Sequence, residues 1–275
     1  MNNTFTEEIR NAVAAVLPDK EVEVREVEKA NGVIYTGISI RTEGCNIAPT
    51  IYLNEDDSVE MNVKRVLDAY EHCQPKGRLD MEWYADYEQV KNKLAVMLTS
   101  KPMSGLAKRK APGFDDLYMH AYVSVNDLQL GKGCIKVAKE HMETWGISNA
   151  RLFADALKSA PNVAPAIHKS MFSMLYDMMD TAEGIAPEEM LEPMSILTNK
   201  ESVMGAAAIL YTKVKKNIYM VPSSIHEVIL IDGDVIDPAS LNEIIEDVNR
   251  TVLEPQDYLS NHAYKFNGKK WENVE

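Results

Sequence analysis

Cysteine is scarce in this chain: there are three among 275 residues, at positions 45, 73 and 134. They form no CxxC pair. A disulfide framework is therefore excluded, and an odd number of unpaired thiols fits a reducing, cytoplasmic setting. The six histidines, at 72, 120, 141, 168, 226 and 262, are scattered, with none four residues from another and none grouped with cysteine. No locally assembled metal site is expected, structural zinc included, and no cofactor. Long apolar runs are missing as well. The longest, residues 203–211, is about half of what a bilayer crossing requires and reads as a buried helix. The N-terminus carries Glu7 and Glu8 where a signal peptide needs cations, and its short apolar stretch is closed by Pro18. Positive charge is in deficit: Lys and Arg total 29 against 42 Asp and Glu, a net charge of −13. A surface of that sign repels phosphate backbones and anionic lipid heads, so neither nucleic acid nor membrane is an expected partner.

What remains is the composition of an ordinary globular protein, 45% hydrophobic and 26% charged, long enough to bury one large core or two smaller ones. Residues 4–17 carry a helical stripe of Phe5, Ile9, Val13, Val16 and Leu17. Asn31-Gly32, between extended stretches around Val22–Val24 and 33–40, predicts a tight hairpin, because this pair tolerates the positive φ angles such a turn needs. A strand over 50–53 and a helix from Val59 to Tyr70, capped by Asp57 with Glu60 following, complete an expected α-β-β-β-α order in residues 1–75. Residues 76–113 are expected to hold a helix over 83–98 and a flexible surface loop over 100–113. In that loop Lys108-Arg109-Lys110 reads as solvated charge, and trypsin is expected to cut there first.

Residues 114–275 predict strands over 117–125 and 134–138 around a Gly131-Lys132-Gly133 turn. Helices are expected from Ser148 to Leu157 and from Pro165 onward, the second with a methionine-rich face of Ile167, Met171, Met174, Leu175 and Met178 that packs in the core. The C-terminal part reads as a β-α-β-β-α-β unit. A strand over 194–197 leads into a capping box, Thr198 to Glu201, and an Ala-rich helix to Lys216. Strands over 218–221 and 225–231 follow, then a helix from Asp237-Pro238 and a hairpin at Asn267-Gly268. The expected class is α+β, with a mixed, largely antiparallel sheet system and flanking helices.

Chemistry-bearing side chains are densest at Pro222-Ser223-Ser224-Ile225-His226-Glu227. His226-Glu227 begins like a zinc-protease helix but has Leu230 where the second histidine belongs, and no Gly-x-Ser-x-Gly elbow surrounds Ser223 or Ser224. In an extended chain Ser224 and His226 share a face with Val228 and Leu230 while Glu227 points away, so the three form no simple triad. The bland alternative is a satisfied turn with a half-buried imidazole.

The segments IYMVPSSIHEVIL, MSILTN, GAAAILY, NGVIYTGISI and NIAPTIYLNED, with WYADYEQVKNKLAVMLTS, FDDLYMHAYVSV and HMETWGIS, resemble a bacterial family known only as a domain of unknown function. Its members come from anaerobic gut-type bacteria. The resemblance covers nearly the whole chain and implies a cytoplasmic bacterial protein, with no activity, substrate or cofactor attached.

Two functional readings follow. The first is a non-catalytic protein that binds an unidentified protein or small molecule near Ser223 to Glu227. The second is a metal-independent hydrolase or transferase, with His226 as base, Ser223 or Ser224 as nucleophile or substrate ligand, and Glu227 or a distant group orienting the ring. Asn199 and His262 are the candidates for groups arriving from elsewhere. A third reading, an acidic mimic of nucleic acid, is disfavoured by the even spread of acids over helix exteriors such as Glu243, Glu246 and Asp247.

Overall fold

Thr6, Ile9 and Val13 recur at helical spacing and are the buried side of α1 (Asn3–Val16). The structure, a computed structural model, describes residues 3–75, 77–127, 131–170, 194–201, 203–234, 236 and 238–274. After α1 come β1 (Glu21–Glu28), β2 (Ile34–Arg41) and β3 (Thr50–Tyr52), an antiparallel sheet in that order, and then α2 (Val59–Cys73). The expected hairpin turn is present, with Asn31 at φ 64° and Gly32 at φ 78°. Ile9 and Val13 of α1, Ile38 and Ile40 of β2, and Val66 and Tyr70 of α2 close a core of their own. The helix cap is Ser58, whose hydroxyl accepts from the Met61 amide at 3.2 Å, in place of the expected Asp57. Asp57 stands one residue too early and pairs with Arg65.

The expected helix over 83–98 does not form. Short helical turns, α3 (Tyr87–Val90) among them, give way to β4 (Leu94–Thr99). All six residues of β4 are buried, packed against the helix at Asn149–Val163 and against a 3-10 turn at Gly205–Leu210. A run buried on both faces carries no period, which is why a strand here reads like the continuation of a helix. The loop over 100–113 is also tied down. Lys108–Lys110 form β5, paired with β6 (Tyr118–Asp127), and Met103, Ala107 and Ala111 are buried. The three cationic side chains are exposed, as solvated charge should be, but the paired and anchored backbone removes the reason to expect first cleavage there.

β6 continues into β7 (Gly131–Lys136) as an antiparallel hairpin. Gly131 and Gly133 are strand residues, not the expected turn, and residues 128–130 lie outside the described part. Next come α4 (Lys139–Trp145) and α5 (Asn149–Val163), the latter capped by Ser148 as expected. In place of the expected helix from Pro165, β8 (Ala166–Ser170) pairs along its length with β9 (Met194–Asn199). Cross-strand pairing there overrides the local pattern. Met171, Met174, Leu175 and Met178 lie outside the described residues. The Ala-rich helix to Lys216 shrinks to the turn at Gly205–Leu210, because Met204 sits in the left-handed region at φ 54° and breaks propagation before it. A Cβ at Gly205 would overlap Thr198 Oγ1, the His226 carbonyl and the Asn199 amide nitrogen.

β10 (Ile218–Pro222), β11 (Val228–Asp232), α6 (Leu241–Thr251), β12 (Tyr264–Phe266) and β13 (Trp271–Asn273) complete the chain. The six-stranded sheet runs β13-β12-β10-β11-β9-β8, antiparallel throughout. Asp237, the expected cap of α6, is outside the described residues. Leu241 and Ile245 of α6 are buried, whereas Ile244 and Val248 of the same expected stripe are exposed. The class is α+β. Among the described residues no helix is long and apolar enough to cross a membrane.

Asn31 is among the side chains that tie the N-terminal layer to the rest. Asn31 Nδ2 lies 2.6 Å from the Tyr258 carbonyl and 3.3 Å from those of Pro255 and Gln256, while Oδ1 accepts from the Ser100 amide at 3.2 Å and its hydroxyl at 2.9 Å. Asn31→Gly keeps the backbone conformation and loses these bonds, for an expected cost of about 1 to 3 kcal/mol. Asn31→Ala should cost about 1 kcal/mol more, because alanine resists the left-handed region. Denaturant midpoints of the two variants measure both terms.

His120 is fully buried; its Nδ1 donates to the Ala107 carbonyl at 2.9 Å and its Nε2 accepts from the Met103 amide at 3.3 Å. Burial holds its pKa below the ordinary 6.5, against the opposing pull of the Ala107 carbonyl. The unfolded chain therefore takes up a proton that the fold refuses. The stability due to this group is complete above pH 6.5 and falls below it, by up to about 1.4 kcal/mol per pH unit, until the lowered folded value is passed. His120→Gln should lower stability at neutral pH and flatten the dependence below pH 6.5, as read from urea midpoints across that range.

Candidate functional site

The segment from Ser223 to Glu227 is not a strand. Pro222 pairs with Val228 as the last rung of β10 and β11, and the five residues between them form the hairpin loop, closed by the Ser224 amide donating to the Glu227 carbonyl at 3.1 Å. The face shared by Ser224, His226, Val228 and Leu230 in an extended chain therefore does not exist. Ser224 is buried, and its hydroxyl accepts from the His226 amide at 3.0 Å. Ser223 Oγ donates to Glu227 Oε1 at 3.4 Å.

Both nitrogens of His226 are occupied. Nδ1 accepts from the Met204 amide at 3.0 Å, which leaves the proton on Nε2, 3.3 Å from Asp257 Oδ1. Its carbonyl accepts from Thr198 Oγ1 at 2.8 Å, and the Ile225 amide donates to the Asp257 carbonyl at 2.8 Å. Neither serine hydroxyl bonds to the ring. The arrangement links β9, the Met204 bend and the loop at Asp257, which is the geometry of a satisfied turn.

The two outlying candidates lie elsewhere. His262 Nε2 is 3.1 Å from Asp116 Oδ2, and the Tyr264 hydroxyl lies 3.0 and 2.9 Å from the two carboxylate oxygens of Asp116. Burial raises the Asp116 pKa, but the contacts with His262 and Tyr264 outweigh it and hold the carboxyl below its usual range. The Asn199 amide is spent on its own loop: Nδ2 donates to the Val203 carbonyl at 2.7 Å and Oδ1 accepts from the Glu201 amide at 3.0 Å.

Asn199 nonetheless forms part of a cleft that the residue pattern alone does not reveal, about 380 Å³ in volume. Its floor is the β6–β7 hairpin, where Ser124 stands opposite Cys134 and Asn126 opposite Lys132, with Tyr122 one step deeper. Its walls are the C-terminal end of α5 at Val163 and Ala164, and the bend from Asn199 to Met204. Lys132 Nζ meets Glu201 Oε1 at 2.6 Å and joins the two sides at the rim.

Tyr122 is only 6% exposed and lines the cleft. Burial pushes its pKa up, so it stays a neutral phenol. Nearby Tyr211, pushed up to about 12 by burial, is satisfied: its hydroxyl donates to the Ala164 carbonyl at 2.8 Å. Cys134 is an exposed residue, but desolvation raises its thiol pKa, with the Lys136 charge acting the other way. It is a poor nucleophile at neutral pH. Tyr122, Lys132, Cys134 and Glu201 are absent from the sequence-derived candidates. The available signal is the alternation His120, Tyr122, Ser124, Asn126, a polar stripe on a strand whose other face holds the buried Ala121 and Val123. Among the described residues no group of three or more His, Cys, Asp or Glu could hold a metal ion.

The geometry of His226 generates a stability test. His226→Ala removes two partners and strands the Met204 amide, for an expected loss of about 1 to 3 kcal/mol in denaturant unfolding. A loss below about 0.5 kcal/mol would show that these bonds do not hold the bend.

No curated protein and no solved structure matches the chain. A family model does, over residues 2–268, which is nearly the whole length. The chain therefore belongs to DUF5688, a family of unknown function.

Proposed function

We propose that the protein binds a small molecule in the cleft between the β6–β7 hairpin and the Asn199–Met204 bend, without catalysis. The observation that carries this reading is the mixed lining of the cleft. Tyr122, Ser124 and Asn126 of one strand face apolar side chains of α5 and the bend across it, so that a ligand meets polar and apolar groups together. The cleft joins apolar surface at Val163, Val203 and Met204 to a few polar groups at Tyr122, Ser124 and Asn126. That mixture is typical of small-molecule sites, and a volume of about 380 Å³ lies at the small end of their range. The hydrolase or transferase alternative draws no support from His226, because a base needs a free ring nitrogen and both of its nitrogens are engaged. Free cysteines, two of the three exposed, accord with a reducing compartment, and a bacterial cytoplasmic setting is part of the proposal.

The test is a pair of tyrosine variants. Tyr122→Phe removes a hydroxyl that lines the cleft and should leave stability unchanged or raise it by up to about 1 kcal/mol. Tyr211→Phe removes a satisfied hydroxyl and should cost about 1 kcal/mol. Ligands found by thermal-shift screening should bind Tyr122→Phe more weakly than the wild type. Equal losses of stability in the two variants would sink the reading, because the Tyr122 hydroxyl would then be structural.

A further inference from the structure

We infer that the ligand is a small zwitterion of the α-amino-acid type, with a cationic and an anionic group a few bonds apart. This inference rests on the cleft being a binding site and concerns what the cleft selects. Its two charged lining residues are Lys132 and Glu201, of opposite sign and in contact at 2.6 Å. They come from separate parts of the chain, β7 and the segment after β9, and their side chains are 64% and 42% exposed. An exposed pair of this kind contributes little to folding and opens at little cost.

A ligand bearing one charge that enters between them gains one partner and strands the other. A ligand with a carboxylate beside an ammonium replaces the bridge on both sides: the carboxylate takes Lys132, the ammonium takes Glu201, and no charge is left unpaired. The protein's net charge of −13 adds a bias against free anions, which it repels over a distance. Below the rim, Val163, Val203 and Met204 offer an apolar wall and Tyr122 a single hydroxyl at depth. The side chain of such a ligand is therefore apolar along its length, with room for a polar end. A volume of about 380 Å³ suits a metabolite of this size and no polymer.

The experiment uses the whole protein. L-leucine, L-glutamine and L-phenylalanine are titrated calorimetrically, each alongside its N-acetyl acid and its amide, which keep one charge and lose the other. In parallel, alkylation of Cys134 by iodoacetamide is followed by mass spectrometry, with the exposed Cys73, which does not line the cleft, as internal reference. At least one free amino acid should bind and slow alkylation of Cys134 relative to Cys73. Both blocked forms should bind at least about tenfold more weakly, as should the free amino acid to Lys132→Gln and to Glu201→Gln.

If the blocked forms bind as well as the parent, the zwitterion is overturned and the cleft stands. The zwitterion also falls, and the cleft again stands, if the amino acids fail while a set of neutral sugars, monocarboxylates and amines contains a compound that protects Cys134. If no compound of either set protects Cys134, both the zwitterion and the cleft as a binding site fall.

Discussion

The ten residues of β6 supply backbone partners to three other strands, and the four-stranded sheet that floors the cleft is arranged by that demand. β4 takes one edge over residues 118–123, while β5 and β7 share the other edge end to end. Because successive side chains alternate, Ala121 and Val123 enter the core and His120, Tyr122, Ser124 and Asn126 face the opposite way. His120 spends both nitrogens on the backbone of the segment leading into β5. Tyr122, two residues on, lines the cleft instead. The site is thus a consequence of how one strand divides its polar side chains between anchoring and exposure.

A second organising point is the stretch from Pro255 to Tyr258. Its carbonyls receive the Asn31 amide from the β1–β2 turn, and Asp257 within it holds both the His226 ring and the Ile225 backbone. His226 in turn fixes the Met204 amide, and Met204 lines the cleft. A continuous set of hydrogen bonds therefore runs from the N-terminal hairpin to the cleft wall. His226, the side chain that looks most catalytic in the sequence, hydrogen-bonds here to two such segments.

The legible elements are those decided within a few residues. The Asn31-Gly32 hairpin, the α-β-β-β-α order, the Ser148 cap and the hairpin at Asn267-Gly268 all rest on local backbone preferences, and all are present. The misread elements are those that tertiary contacts decide. Residues 94–99 lie buried on both faces and so carry no period, and β8 exists because β9 pairs with it. The stretch after Asn199 looks like a capped Ala-rich helix, yet its alanines are buried beside the close backbone approach at Gly205, and the bend at Met204 stops the helix early. Asn199, a candidate by its position ahead of that stretch, lines the cleft, but its amide shapes the wall and is not free to meet a ligand.

By itself, the sequence determined an α+β class with antiparallel hairpins, a negative surface and the lack of any local zinc, phosphate or nucleophile motif. Those properties depend on composition and on spacings shorter than a turn or a hairpin, which survive in any fold the chain adopts. Only the tertiary structure decided that Tyr122, Cys134 and Lys132 face Asn199 and Glu201 across a cleft, since these residues are separated by some 65 to 80 positions and no local preference links them. It also decided that His226 has no nitrogen to spare, because its two partners, at Met204 and Asp257, come from segments that only packing brings to the ring.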